Sequence, residues 1–322
     1  MDRLKGQEAI GEAHAKLILV GEHIVVYNKP AIVLPFPLKL RAWIKGKPGE
    51  ISISSDLYTG NIHAMSGRMV GLFECINRSF ELCNRPKEGV HIDITSDIPE
   101  GRGLGFSAAA ATAIVRGIYR YFEKELSEEE LFTLVELAET YAHGNPSGID
   151  MLAVSREAPI LFQKQEKPFS LQVPRAFHIV VADTGMVGDT KKAVDHVRLI
   201  KIQRPDAVED IINQIEAIVV RAKEAILEGD AKLLGSLLLR NHEKLKELEV
   251  SNNLLDHLVE AAIGAGALGA KLTGGGMGGC MLALTKDIES ARMVSKRLLS
   301  EGAKDVWYFS TDSNNLYRKE DL

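Results

Sequence analysis

The stretch Pro99-Glu100-Gly101-Arg102-Gly103-Leu104-Gly105-Phe106-Ser107-Ala108-Ala109 decides the fold. Its alternate glycines stand directly before a run of alanines that predicts a helix. Glycine lets the backbone approach an anion closely, and a helix start offers unpaired N–H groups at the positive end of its dipole. The pattern predicts a phosphate cradle at the entry to a helix. Two common phosphate loops do not fit it. A Rossmann loop needs a strand, with an acidic residue, about 20 residues onward. Here two helices are expected in succession. A Walker loop needs a lysine before its serine or threonine, and none precedes Ser107. An isolated glycine loop can also be a tight turn that binds nothing, so the rest of the chain has to decide.

The 322 residues are enough for two domains with ample core. Hydrophobic residues make up 45% and charged residues 26%, the balance of a folded globular protein. A net charge of −5 provides no overall basic field for a nucleic-acid backbone or an anionic membrane, so neither is expected as a partner. Cys75, Cys83 and Cys280 are too few and too scattered for a disulfide framework or a cysteine-based zinc site, which fits a reducing compartment. No apolar run reaches the length of a membrane span, and Met1-Asp2-Arg3-Leu4-Lys5-Gly6 lacks a signal-peptide core. A cytoplasmic location is the expectation.

Outward from the loop, Leu17-Ile18-Leu19-Val20 and Ile24-Val25-Val26 flank Gly21-Glu22-His23 and predict strand, sharp turn, strand. Ile51–Ser54 and His91–Ile94 alternate with period two, so the first hundred residues predict mostly sheet. After the loop, Ala111, Ile114, Ile118 and Tyr121 recur at helical spacing. Ser127 with Glu130 predicts a capping box on the next helix, which buries Leu131, Leu134, Val135 and Ala138. Further strands are expected near Ile160–Phe162 and Phe177–Ala182, then a helical region from about Asp206 to Ala265, broken at Gly229-Asp230 and at Ser251-Asn252-Asn253. Strand, glycine run, strand, helix and strand complete an α+β pattern, with a polar tail after Ser310 expected to be disordered. The domain boundary is placed near Pro174, giving domains 1–174 and 175–322.

Four segments in order resemble the GHMP kinase superfamily along most of the chain. They are Lys16-Leu17-Ile18-Leu19-Val20-Gly21-Glu22-His23 running on to Ile32, the loop from Pro99 to Ala109, His143-Gly144-Asn145-Pro146-Ser147-Gly148-Ile149-Asp150, and Lys271-Leu272-Thr273-Gly274-Gly275-Gly276-Met277-Gly278-Gly279-Cys280. The first and third look most like the mevalonate kinase branch. There are departures. Phe106 stands where the family usually has the first of two serines, Glu12-Ala13-His14-Ala15 precedes Lys16 where Ala-Pro-Gly is common, and Met277 interrupts a run of small residues. None removes a group that phosphoryl transfer requires.

The resemblance implies a two-domain GHMP kinase fold. Its N-terminal domain would be like domain 2 of ribosomal protein S5 and its C-terminal domain ferredoxin-like, with the acceptor in a cleft between them. ATP would be gripped by the backbone of Pro99, Gly101, Arg102, Gly103, Leu104, Gly105, Phe106, Ser107, Ala108 and Ala109. Ser107 and Glu139 would be ligands of Mg²⁺, a cation that prefers a few hard oxygens plus phosphate and water. Asp150 would be the general base and Lys16 the cation that stabilises the transferring group. Glu22, His23, Thr190 and Gly274 would contact the substrate, with mevalonate implied as acceptor and a homodimer as the assembly. On the residues alone, Glu139 reads more readily as a solvated helix carboxylate, Asp150 as a helix cap and His23 as part of a hydrogen-bond network, and Lys16 also reads as a strand-edge lysine; the resemblance reverses that preference. Cys280 reads as a small buried residue. Two rival functions stand beside this one: a sister kinase such as phosphomevalonate kinase, and a regulator that binds a nucleotide or metabolite without catalysis.

Overall fold

The structure is a computed structural model that describes residues 8–143, 148–313 and 315–322. The chain divides into two compact units. Unit 1 takes residues up to Lys16, Leu38–Pro99 and Gly105–Arg156, and unit 2 takes Leu17–Pro37, Glu100–Leu104 and Glu157–Leu322.

The first half of the chain forms strands β1 (Glu8–Val20), β2 (Ala31–Glu50), β3 (Ser52–Ser54) and β4 (Thr59–Asn61), helix α1 (Val70–Leu82), strand β5 (Glu88–Ser96), and helices α2 (Phe106–Tyr121), α3 (Glu128–His143) and α4 (Ile149–Ser155). In unit 1 the outer part of β2, Leu40–Gly46, pairs antiparallel with β5, which runs parallel to β3, and β4 closes that edge. Strict alternation along β2 puts Leu38, Leu40, Ala42 and Ile44 inside and Lys39, Arg41 and Lys45 outside. Helices α1, α2 and α3 pack on one another, and α2 also packs on α4. The alanine-rich α2 is buried on nearly every side, because small side chains let neighbours close in all round. The predicted capping box is present: Glu130 N–H donates to Ser127 Oγ (3.1 Å), and Ser127 N–H donates to a Glu130 carboxylate oxygen (3.2 Å). The helix it starts buries Leu131, Leu134, Val135 and Ala138 as expected.

The second half adds β6 (Ile160–Phe162), β7 (Phe169–Ser170), β8 (His178–Asp183), helices α5 (Thr190–Gln203), α6 (Pro205–Glu228), α7 (Ala231–Glu247) and α8 (Asn253–Gly264), then β9 (Gly269–Thr273), β10 (Cys280–Thr285), α9 (Ile288–Ser300), β11 (Asp305–Ser310) and β12 (Leu316–Arg318). In unit 2, Ala31–Val33 of β2 pair with β6, and β6 with β7. The main sheet of this unit runs β12-β11-β8-β10-β9, antiparallel throughout. Counting β8, β9, β10 and β11 as first to fourth, the order 4-1-3-2 with helices after the first and third strands is ferredoxin-like. The helical breaks fall where the sequence puts them. Asp230 caps α7 and Asn252 caps α8, each through a side-chain oxygen that accepts a backbone N–H.

Several expectations change. Ile24–Tyr27 is a turn of 3₁₀ helix and not a second strand; His23 and Asn28, both left-handed at φ 65° and 61°, bound it, and Ile24 and Val25 are apolar because they are buried, not because they pair. The first hundred residues also hold α1, and α5 precedes the predicted helical region. Part of the tail forms a strand: β12 pairs with β11, and Tyr317 stacks on Tyr308 at 4.8 Å. Among the described residues no helix is long and apolar enough to cross a membrane.

Candidate active site

In unit 1 the site is built on the start of α2. Gly105, left-handed at φ 81°, is the N-cap and has no side chain to satisfy the first-turn N–H groups, which therefore point outward as donors. A Cβ here would lie 3.0 Å from Lys16 Cγ and from Val154 Cγ1, so only glycine lets the helix start rest on the Lys16 stem. Lys16 is 3% exposed, and its ammonium sits 2.8 Å from Asp150 Oδ1. Asp150 occupies the first turn of α4 and keeps 33% of its side chain exposed. Helix entrance, ammonium and half-open carboxylate thus come together within one unit.

Ser107 is the second residue of α2 and is half-buried, as is Phe106 before it. Leu104, Ala108 and Ala109 point into the core, leaving only their backbone for a ligand, while Pro99 is half-buried. Glu139 lies on α3, which packs against α2, and is 4% exposed. Residues 144–147, the centre of the His143–Asp150 stretch, lie outside the described residues.

Unit 2 carries the other loops. Gly101 and Gly103 are left-handed like Gly105, and the Gly101 carbonyl accepts from Gly188 N–H at 2.8 Å. The Arg102 guanidinium pairs with Asp183 (2.8 Å to Oδ1) and donates to the Gly185 carbonyl (3.0 Å). A Cβ on Gly274 would meet the Gly103 carbonyl at 3.1 Å, so the two glycine loops touch backbone to backbone. Thr190 opens α5 directly against Gly275. Arg102, Gly103, Thr190, Thr273, Gly275 and Gly276 are among the residues that line one narrow crevice.

The turn after β1 is fastened to β9 and its loop by side chains. Thr273 Oγ1 donates to the Ile18 carbonyl (2.9 Å) and accepts from Ile18 N–H (3.1 Å). Glu22, 1% exposed, is ion-paired with Lys271, 0% exposed, which also donates to the Leu272 carbonyl. Burial pushes the Lys271 ammonium below its ordinary range while Glu22 opposes the shift. His23 Nε2 lies 2.9 Å from the Gly275 carbonyl. Burial pushes its imidazole down to about 4, so at neutral pH it is uncharged, donates from Nε2 and leaves the buried Nδ1 as an acceptor with no hydrogen-bond partner among the described residues. Met277 takes a left-handed backbone at φ 57° and is held by its N–H to the Val250 carbonyl (2.7 Å), which accommodates the departure from small residues. Cys280 is fully buried, and its thiol is pushed well above its ordinary value, which suits packing and not attack.

Sequence reasoning found the members of these clusters but not all their partners. It missed the roles of Lys271 and Asp183 as counter-charges to Glu22 and Arg102. The signal for the first was present: a lysine between Ala270 and Leu272 in an otherwise apolar strand must find a carboxylate if it is buried.

The GHMP kinases N terminal domain matches residues 69–156, and the GHMP kinases C terminal domain matches residues 222–304. Mevalonate kinase from Pyrococcus horikoshii is 39% identical over 302 residues, covering 85% of this chain and 88% of the relative. Mevalonate kinase from Thermococcus sibiricus is 37% identical, covering 87% and 90%. Among solved structures, mevalonate kinase from L. major in complex with R-mevalonate superposes with a TM-score of 0.80 at 27% identity, covering 94% of this chain and 95% of that one. The chain belongs to the GHMP kinase family.

Proposed function

We propose that this protein is a mevalonate kinase that transfers the γ-phosphoryl group of ATP to the 5-hydroxyl of mevalonate, giving 5-phosphomevalonate and ADP. The observation that carries the reading is the Lys16–Asp150 pair set against the N-terminus of α2, with one carboxylate end open to solvent. The kinship with curated mevalonate kinases over nearly their whole length supports it. Cytoplasmic placement and a homodimer rest on the same kinship. The division into domains 1–174 and 175–322 is part of the same reading; the family matches cover 69–156 and 222–304, while the compact units interleave, with Leu17–Pro37 and Glu100–Leu104 in unit 2.

Phosphoryl transfer asks the protein mainly for positioning and charge. Backbone N–H groups of residues 101–108 hold the donor phosphates. Asp150 takes the proton of the acceptor hydroxyl, and because Lys16 occupies Oδ1, the proton goes to Oδ2. The Lys16 ammonium, already desolvated, then offsets the negative charge on the moving group. In unit 2, Thr190, the His23 turn and the Gly274 backbone are the groups assigned to the acceptor, and Glu22 acts by holding the His23 turn. The Ser107 hydroxyl and the buried Glu139 carboxylate are hard oxygen donors on two packed helices, a set that fits Mg²⁺. When bound, that ion would neutralise phosphate charge.

A phosphorylated acceptor would need extra cations. In unit 2 the buried Lys271 and Arg102 are each neutralised by a carboxylate, which favours mevalonate over phosphomevalonate. The test is Asp150→Asn. Turnover is expected to fall about 10²–10⁴-fold while nucleotide affinity stays within about twofold. Near-normal turnover in that variant sinks the assignment.

A further inference from the structure

Arg102 occupies the donor-phosphate loop, where a cation reads most simply as a phosphate ligand, yet its guanidinium is held by Asp183 and by the Gly185 and Glu100 carbonyls. It is 8% exposed and Asp183 is 2% exposed. Nε lies 2.8 Å from Asp183 Oδ1 and 2.9 Å from Oδ2, Nη2 donates to the Gly185 carbonyl at 3.0 Å, and Nη1 reaches the Glu100 carbonyl at 3.5 Å. Asp183 Oδ1 accepts from Gly185 N–H at 2.8 Å, so the far side of the pair is itself fixed. One residue before Arg102, the Gly101 carbonyl accepts from Gly188 N–H. A guanidinium that close to a buried carboxylate carries little net charge outward, and leaving the pair would strand Asp183 in a dry site.

We propose that Arg102 is a positioning residue for nucleotide binding. Its guanidinium ties residues 100–104 to the Asp183–Gly185 turn and so holds the Gly101–Gly103 backbone ready for phosphate, without touching phosphate itself. The inference rests on the reading that this loop receives the donor phosphates. Left-handed glycines give that segment wide backbone freedom when unfolded, and ordering it before the ligand arrives removes an entropy cost from binding. The rigid fork of arginine suits this task and a lysine does not, because one ammonium cannot span Asp183 and the Gly185 carbonyl in a plane.

The experiment measures the Kd of a non-hydrolysable ATP analogue with Mg²⁺ by calorimetry, together with thermal unfolding, in the wild type, Arg102→Met, Asp183→Asn and the double variant. Both single variants are expected to weaken nucleotide binding about tenfold. The double variant should bind no more weakly than either single one, although its Tm recovers because no buried charge is left alone. If a single variant fails to fold, the double variant carries the comparison with wild type. Three results overturn the inference: unchanged affinity in the single variants, loss in Arg102→Met with wild-type affinity in Asp183→Asn, which would mean a direct phosphate contact, and affinity that returns with Tm in the double variant, which would mean a purely structural role. A wild-type protein that binds no nucleotide overturns the reading of the loop itself.

Discussion

Lys16–Asp150 in unit 1 and Lys271–Glu22 in unit 2 are both lysine–carboxylate pairs, but they differ in the water they keep. Asp150 retains 33% of its side-chain exposure, whereas neither member of the other pair exceeds 1%. A sealed pair spends its Coulomb energy on offsetting desolvation and can do little but hold its two chain segments together. A pair open at the carboxylate end keeps an oxygen available for a proton and a cation already stripped of water beside it. Arg102–Asp183 belongs with the sealed kind. On the proposed function, the same residue types serve chemistry in one unit and architecture in the other, and exposure separates the two.

The comparison can be broken most forcefully at Lys16. Lys16→Met should lower kcat by about 10³-fold, yet shift stability by less than about 1 kcal/mol, because Asp150 can rehydrate when its partner is gone. Steady-state kinetics and a thermal melt on the same sample check both halves. Lys271→Met should do the reverse in stability: it leaves Glu22 buried without its counter-charge and should cost about 3–5 kcal/mol, read in a denaturant titration. Adding Glu22→Gln should restore most of that loss. A Lys271→Met protein as stable as wild type would erase the distinction between the two pairs.

Acid sharpens the comparison with a smaller effect. His23 and His242, both in unit 2, are pushed down to about 4 by burial, so they stay neutral in the folded protein while their unfolded counterparts titrate near 6.5. The unfolded state therefore binds more protons between these values, and stability should fall as pH drops from about 6.5 to 4, by up to about 3 kcal/mol for His23. Tm measured across that range should decline, and His242→Asn should flatten part of the slope. The amide oxygen of asparagine can still accept from Leu272 N–H, as His242 Nδ1 does.

Much of this architecture was legible in the residues. Ser127 with Glu130, Asp230 and Asn252 announce helix starts because capping is local chemistry. The glycine loop and the Lys16 and Asp150 positions were legible through family motifs. What was hidden depended on distant partners or lacked local marks. Helix α1 starts at Val70, its N-cap Met69 making no side-chain cap, after two short 3₁₀ turns, so no start signal marks it. Ile24-Val25-Val26 looks like a strand because burial, not pairing, selects the β-branched Ile24 and Val25, while Val26 is exposed. The partners Lys271 and Asp183 lie 249 and 81 residues from Glu22 and Arg102, a separation that no spacing rule spans.

The central claim, that the open pair serves phosphoryl transfer to mevalonate, is tested most directly by ADP release from purified protein supplied with Mg²⁺, ATP and one acceptor at a time. Mevalonate should give ADP release in step with acceptor consumed, with phosphomevalonate, galactose and homoserine at background. Preferred turnover of phosphomevalonate, or ADP release indifferent to the acceptor, would contradict the account.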